Sequence, residues 1–112
     1  MEFVPFEKTE IFSSENAKIF EYNLKDKDIN VCYCEINGRY PKTGCSINEK
    51  CKELAFVLSG NGKVIINNNE HLIKEKDVIL INKDEKFFWE GNLKLILPCS
   101  PAWNSKQYKT IE

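Results

Sequence analysis

Residues 51–62 read CKELAFVLSGNG. The apolar run LAFVLS, residues 54–59, stands between a carboxylate, Glu53, and the triplet Gly60-Asn61-Gly62. A run this short, bounded by turn residues and containing Phe and Val, reads as a β-strand rather than a helix. Side chains alternate between the two faces of a strand, so Glu53 shares a face with Ala55 and Val57. A carboxylate on an apolar face is costly unless it is paired, protonated or hydrogen-bonded. The residues allow three uses of Glu53: a general acid or base, a hydrogen-bonding anchor for a ligand, or an ion-pair partner of Arg39 or a lysine.

Similar segments recur on both sides. AKIFEYNL (17–24), INVCYCEI (29–36), KVIIN (63–67), HLIK (71–74), DVILIN (77–82), KFFWE (86–90) and LKLILP (93–98) are short and rich in β-branched and aromatic residues. Between them lie Lys25-Asp26-Lys27-Asp28, Gly60-Asn61-Gly62, Asn67-Asn68-Asn69, Asn82-Lys83-Asp84 and Gly91-Asn92, whose residues suit turns and positive φ. Helical periodicity is nearly absent. Many short strands at even spacing predict an all-β sandwich or barrel, and 112 residues predict one domain over 1–112.

Composition narrows the function classes. Apolar residues make up 42% of the chain and charged residues 29%, with a net charge of −1, as in ordinary globular proteins. Basic and acidic residues are interspersed, so no stripe suits a polyanion and no nucleic-acid partner is expected. The start MEFVPFEKTE lacks the basic and apolar regions of a signal peptide, and no later run reaches membrane-spanning length. The expectation is a cytoplasmic protein with no membrane partner. Cys32, Cys34, Cys45, Cys51 and Cys99 show no zinc-knuckle or redox-pair spacing and read as reduced structural thiols. Consecutive apolar residues in Val78-Ile79-Leu80-Ile81 and Phe87-Phe88-Trp89 call for cover on both faces. A homodimer supplies it by burying one patch twice; the alternative cover is the chain's own N-terminal arm and C-terminal tail.

On these residues the chain resembles the cupin superfamily over about half its length, Gly38 to Gly91. The interval from Glu53 through LAFVLS to Gly60 matches the end of the first cupin motif. The second motif is looser: Lys76-Asp77, VILI, Asn82-Lys83-Asp84 and Phe87 stand where the family has a Gly-Asp step, a strand, Pro-x-Gly and a histidine. The resemblance implies a double-stranded β-helix, or jelly-roll barrel, with Glu53 facing the interior. It places the paired-histidine positions near Ser46 and Asn48 and the third on Phe87, so the usual imidazoles are missing. His71 lies outside both motifs and reads as a solvent-facing residue. No cofactor is expected; should a divalent metal bind, the alternating residues of CSINEKCKE offer Cys45, Glu49, Cys51 and Glu53 as ligands.

The expected small-molecule site comprises Asn48 and Glu53 as polar anchors with Tyr40, Phe87, Trp89 and Trp103 as aromatic walls. Phe87 and Trp89 share a strand face by parity, and the resemblance puts Tyr40 and Trp103 near the barrel mouth, with the tail CSPAWNSKQ closing over it. Two functions fit. One is a cupin-like module that binds a small polar or sugar-like molecule without turnover. The other is a small enzyme, an isomerase, epimerase or lyase, that uses Glu53 for proton transfer.

Overall fold

The structure is a computed structural model that describes residues 1–112. After a single 3-10 turn, Phe6–Lys8, nine strands follow: β1 (Glu10–Ser13), β2 (Ala17–Tyr22), β3 (Asn30–Tyr40), β4 (Cys45–Asn48), β5 (Lys52–Ile66), β6 (Asn69–Lys74), β7 (Val78–Ile81), β8 (Phe87–Ser100) and β9 (Tyr108–Ile111). All pairings are antiparallel. The order β1-β2-β3-β8-β4-β9 forms one path, and β5 adds to it by pairing with β8, β7 and β6. The curled sheet is the all-β barrel expected from the strand pattern.

Three strands are much longer than the sequence pattern suggests. Gly60-Asn61-Gly62 and Gly91-Asn92 do not end strands: β5 runs through the first and β8 through the second. Gly38 pairs with Gly91, and Gly91 pairs with Gly62, so a line of glycines crosses β3, β8 and β5. The backbones touch there. A Cβ on Gly91 would lie 2.6 Å from Gly62 Cα, and one on Gly60 would lie 2.0 Å from Asn92 O. Gly38, Gly60 and Gly91 also have φ of +117°, +92° and +136°, which only glycine adopts without strain. Glycine and a register shift between Val57 and Ser59 therefore bend the strands instead of stopping them.

The true turns follow the expected chemistry. Asn67 and Asn68, at φ +49° and +68°, make the tight link between β5 and β6. Lys76, where the family pattern has glycine, takes φ +73°, and Asp77 Oδ2 accepts the Lys74 backbone N–H at 2.8 Å.

Inward residues of β3, β5 and β8 form the core: Ile36, Ala55, Val57, Val64, Leu93 and Leu95 are almost wholly buried. The N-terminal arm covers part of the outside, where Phe6 packs on Phe20 with ring centroids 5.0 Å apart. Across β5, β6 and β7, however, Leu54, Leu58, Leu72, Val78 and Leu80 remain exposed. His71 is exposed on β6. All five cysteines are free. No helix is long and apolar enough to cross a membrane.

Candidate functional site

Alternation along β5 turns Glu53, Ala55 and Val57 into the barrel while Lys52 and Leu54 face out. Glu53 is 8% exposed. Its Oε1 accepts two hydrogen bonds, from Asn48 Nδ2 at 3.4 Å and from the Cys99 thiol at 3.7 Å. Both bonds go to Oε1; Oε2 takes none and, since no buried polar atom goes without a partner, is open to the cavity that Glu53 lines. Glu53 takes part in no ion pair. Arg39, the expected candidate for one, donates to Pro41 O at 2.7 Å and Gly44 O at 2.9 Å, with its guanidinium 3.8 Å over the Phe88 ring.

Asn48 is held from behind. Gln107 Nε2 donates to Asn48 Oδ1 at 2.9 Å, and Gln107 Oε1 accepts the backbone N–H groups of Lys50 and Cys51 at 3.1 and 3.2 Å. This leaves the Asn48 amide only its N–H end to offer Glu53. Gln107 belongs to the tail that leads into β9, which pairs with β4 across Asn48 and Tyr108. The tail is fastened again at Trp103, whose backbone N–H donates to Asn30 Oδ1 at 2.9 Å while Asn30 Nδ2 donates to Trp103 O at 3.0 Å.

In front of Glu53 lies a cavity of roughly 610 Å³, within the size range of small-molecule sites. Tyr40, Phe87, Trp89 and Trp103 all line it, as does Glu53, while Asn48 stands behind. Phe87 and Trp89 meet edge to face at 6.3 Å. Ser46 and Tyr108 share a hydroxyl hydrogen bond of 2.5 Å on the cavity wall.

A second carboxylate faces the same space. Glu21 on β2 pairs with Cys32, Cys32 pairs with Leu97, and both partners line the cavity. Burial pushes Glu21 up to about 7, reinforced by the charges of Glu10 and Glu53. Burial also raises Glu53 from 4.5 to about 7, against the opposing hydrogen bonds from Asn48 and Cys99. The Cys34 thiol is pushed up to about 12, first by burial and then by Glu53 and Glu35, so it stays protonated near neutrality. Two carboxyl groups that titrate near neutrality can trade protons with an enclosed molecule.

Ser46 and Phe87 face each other in register, and Asn48 bonds to Glu53, so the positions the resemblance reserves for metal ligands do converge. They carry a hydroxyl, a phenyl ring and an amide. The alternative set does not assemble. The strand alternation of Cys45, Glu49, Cys51 and Glu53 breaks between Asn48 and Lys52, where Glu49 is exposed and its backbone N–H is taken by Gln107 O. No three His, Cys, Asp or Glu side chains group as ligands for an ion. These residues do not fit a first-row metal, which needs several converging donors.

Glu10, Glu21, Ser46, Tyr108 and Gln107 were not singled out as site residues in the sequence. Parity with Ala17 and Ile19 is a signal that could have turned Glu21 inward. Nothing in SPAWNSKQYK marks Gln107 or Tyr108.

No protein-family model matches the chain, and no curated protein matches it. Solved structures do. Pac13 from Streptomyces, described as a unique nucleoside dehydratase, aligns with a TM-score of 0.92 over 100% of this chain and 92% of its own, at 17% identity. The fold is the cupin fold. Ectoine synthase from P. lautus shares this cupin barrel at a TM-score of 0.77 and 9% identity, over 100% of this chain and 91% of its own. KdgF from Halomonas sp. does so at 0.75 and 12%, over 95% and 97%. Pac13 has also been solved with uridine.

Proposed function

We propose that the cupin barrel encloses a small organic molecule and carries out acid–base chemistry on it, of the lyase or isomerase type, with Glu53 and Glu21 as the proton-transfer pair. The observation that carries this reading is that both carboxyl groups, on different strands, face one cavity, where burial pushes each up to about 7. Glu53, with Oε2 unengaged, is the base; Glu21, held protonated in part by the charge on Glu53, is the acid. In an elimination, the Glu53 carboxylate takes a carbon-bound proton, the electron pair forms the C=C bond, and the Glu21 carboxyl protonates the departing hydroxyl as water. Matching the pKa of each group to the working pH makes such transfers efficient. The dehydratase activity described for Pac13 supports the reaction type. Tyr40, Phe87, Trp89 and Trp103 are the walls in this reading, and Asn48 positions Glu53.

The test is to incubate the protein in deuterated water with hydroxylated small molecules, nucleosides first, and to follow them by mass spectrometry. Deuterium incorporation or loss of one water, abolished in Glu53→Gln, supports the reading. A molecule that binds the cavity but is never exchanged or dehydrated sinks it and makes the protein a binding module.

The chain is also proposed to pair with a second copy. What supports this is the exposed apolar strip of Leu54, Leu58, Leu72, Val78 and Leu80 on the outer face of β5, β6 and β7, since contiguous apolar patches on a lone barrel are otherwise uncommon.

A further inference from the structure

Glu10 and Glu21 occupy directly opposed positions on β1 and β2. Like charges placed so are unfavourable in a sheet. Asn23 Nδ2 donates to Glu10 Oε1 at 3.0 Å, but no cationic side chain stands between the two carboxylates. Both line the cavity, and so does Glu53, 8% exposed, whose two hydrogen bonds go to Oε1 and leave Oε2 open to the cavity. None of the 22 lining residues is Lys, Arg or His. Two partly or wholly buried acidic groups thus meet aromatic faces in one cavity without a countercharge, with a third, the exposed Glu10, at its edge.

We propose that the ligand of this cavity carries a cationic nitrogen, an ammonium or similar group, which sits against Glu21 and Glu53, with Glu10 at the edge of the cavity, while its apolar part lies against Trp89 and Trp103. This rests on the cavity being the binding site, as in the function proposed above, and adds the charge class of what it takes. An ammonium gives Glu53 Oε2 the hydrogen bond that the protein does not, and it relieves the opposition of Glu10 and Glu21. Aromatic faces add attraction for a cation. Phosphate esters and carboxylates meet only acidic groups and find no basic group to hold them.

The raised titration of Glu21 fits the same picture, because like charges at Glu10 and Glu53 contribute to it. A cation bound next to Glu53 favours its ionised form, the form that acts as base in the reaction proposed above. Burial strengthens the attraction further by limiting solvent screening.

Three probes that differ only in the end group decide the matter: phenethylammonium, phenethyl alcohol and phenylacetate. The chain has two tryptophans, Trp89 and Trp103, and both line the cavity, so intrinsic fluorescence reports occupancy. The expected result is that the ammonium binds about tenfold tighter or more than the alcohol, a modest demand for a partly buried charge pair, and that the carboxylate binds weakest. The preference should shrink in Glu21→Gln. Equal binding of ammonium and alcohol by the unmodified protein overturns the charge class while leaving the cavity as the site. Binding by none of the three overturns both the charge class and the site on which it rests.

Discussion

Replacing Glu53 by Gln should stabilise the ligand-free protein at alkaline pH and leave it nearly unchanged in mild acid. Burial raises the Glu53 carboxyl from 4.5 to about 7, so between those values the native state holds a proton that the unfolded chain has lost. Stability then falls as pH rises through that window, and above it the full cost of the buried charge remains. At about 1.4 kcal/mol per pH unit, the interval makes about 3 kcal/mol. Gln keeps the neutral shape, accepts from Asn48 and Cys99 as the carboxyl oxygen does, and never ionises. Urea unfolding of both proteins at about pH 5 and about pH 8 measures the difference, as does a melting-temperature gap of roughly 10 °C at the higher pH. Glu21 contributes in the same direction; it is partly buried and present in both proteins, and losing the Glu53 charge lowers its titration, which adds to the stabilisation of the variant at the higher pH. If the stability difference between wild type and variant is the same at both pH values, burial does not control Glu53.

Three further outcomes are expected. Gln107→Ala frees the Asn48 amide and two backbone N–H groups; a loss of about 1–3 kcal/mol in urea unfolding is expected, with a shift in the Glu53 titration visible by NMR. Leu54→Lys combined with Leu80→Lys should turn a sedimenting dimer into a monomer without changing the circular dichroism spectrum; a wild-type monomer contradicts the pairing proposal. Gly60→Ala meets Asn92 O at 2.0 Å and a φ of +92°, so a loss of more than about 3 kcal/mol or failure to yield soluble protein is expected, whereas a variant of wild-type stability would show that the backbones can part there.

How far the chain could be read in advance differs from element to element. The alternation that sends Glu53 inward with Ala55 and Val57, and Phe87 with Trp89, is a property of every strand, so these faces were legible from parity alone. The glycines were misjudged because a residue that permits a turn equally permits a bend between two crossing strands. Only the pairing of Gly38, Gly91 and Gly62 distinguishes the two, and pairing is not local. Arg39 looked like a partner for Glu53 because charge suggested it, but two carbonyls and the Phe88 ring engage its guanidinium. Glu21 and Gln107 escaped notice for a related reason. One shares a cavity with Glu53 and the other reaches it through Asn48, and neither relation leaves a spacing in the sequence.

The glycine line also bears on the cavity. β3 contributes Cys34 on one side of Gly38 and Tyr40 on the other; β8 contributes Trp89 before Gly91 and Leu97 after it. Lining residues therefore come from both sides of one line of glycines whose backbones are already in contact. A side chain inserted anywhere along that line would therefore disturb the cavity lining on both sides of it at once.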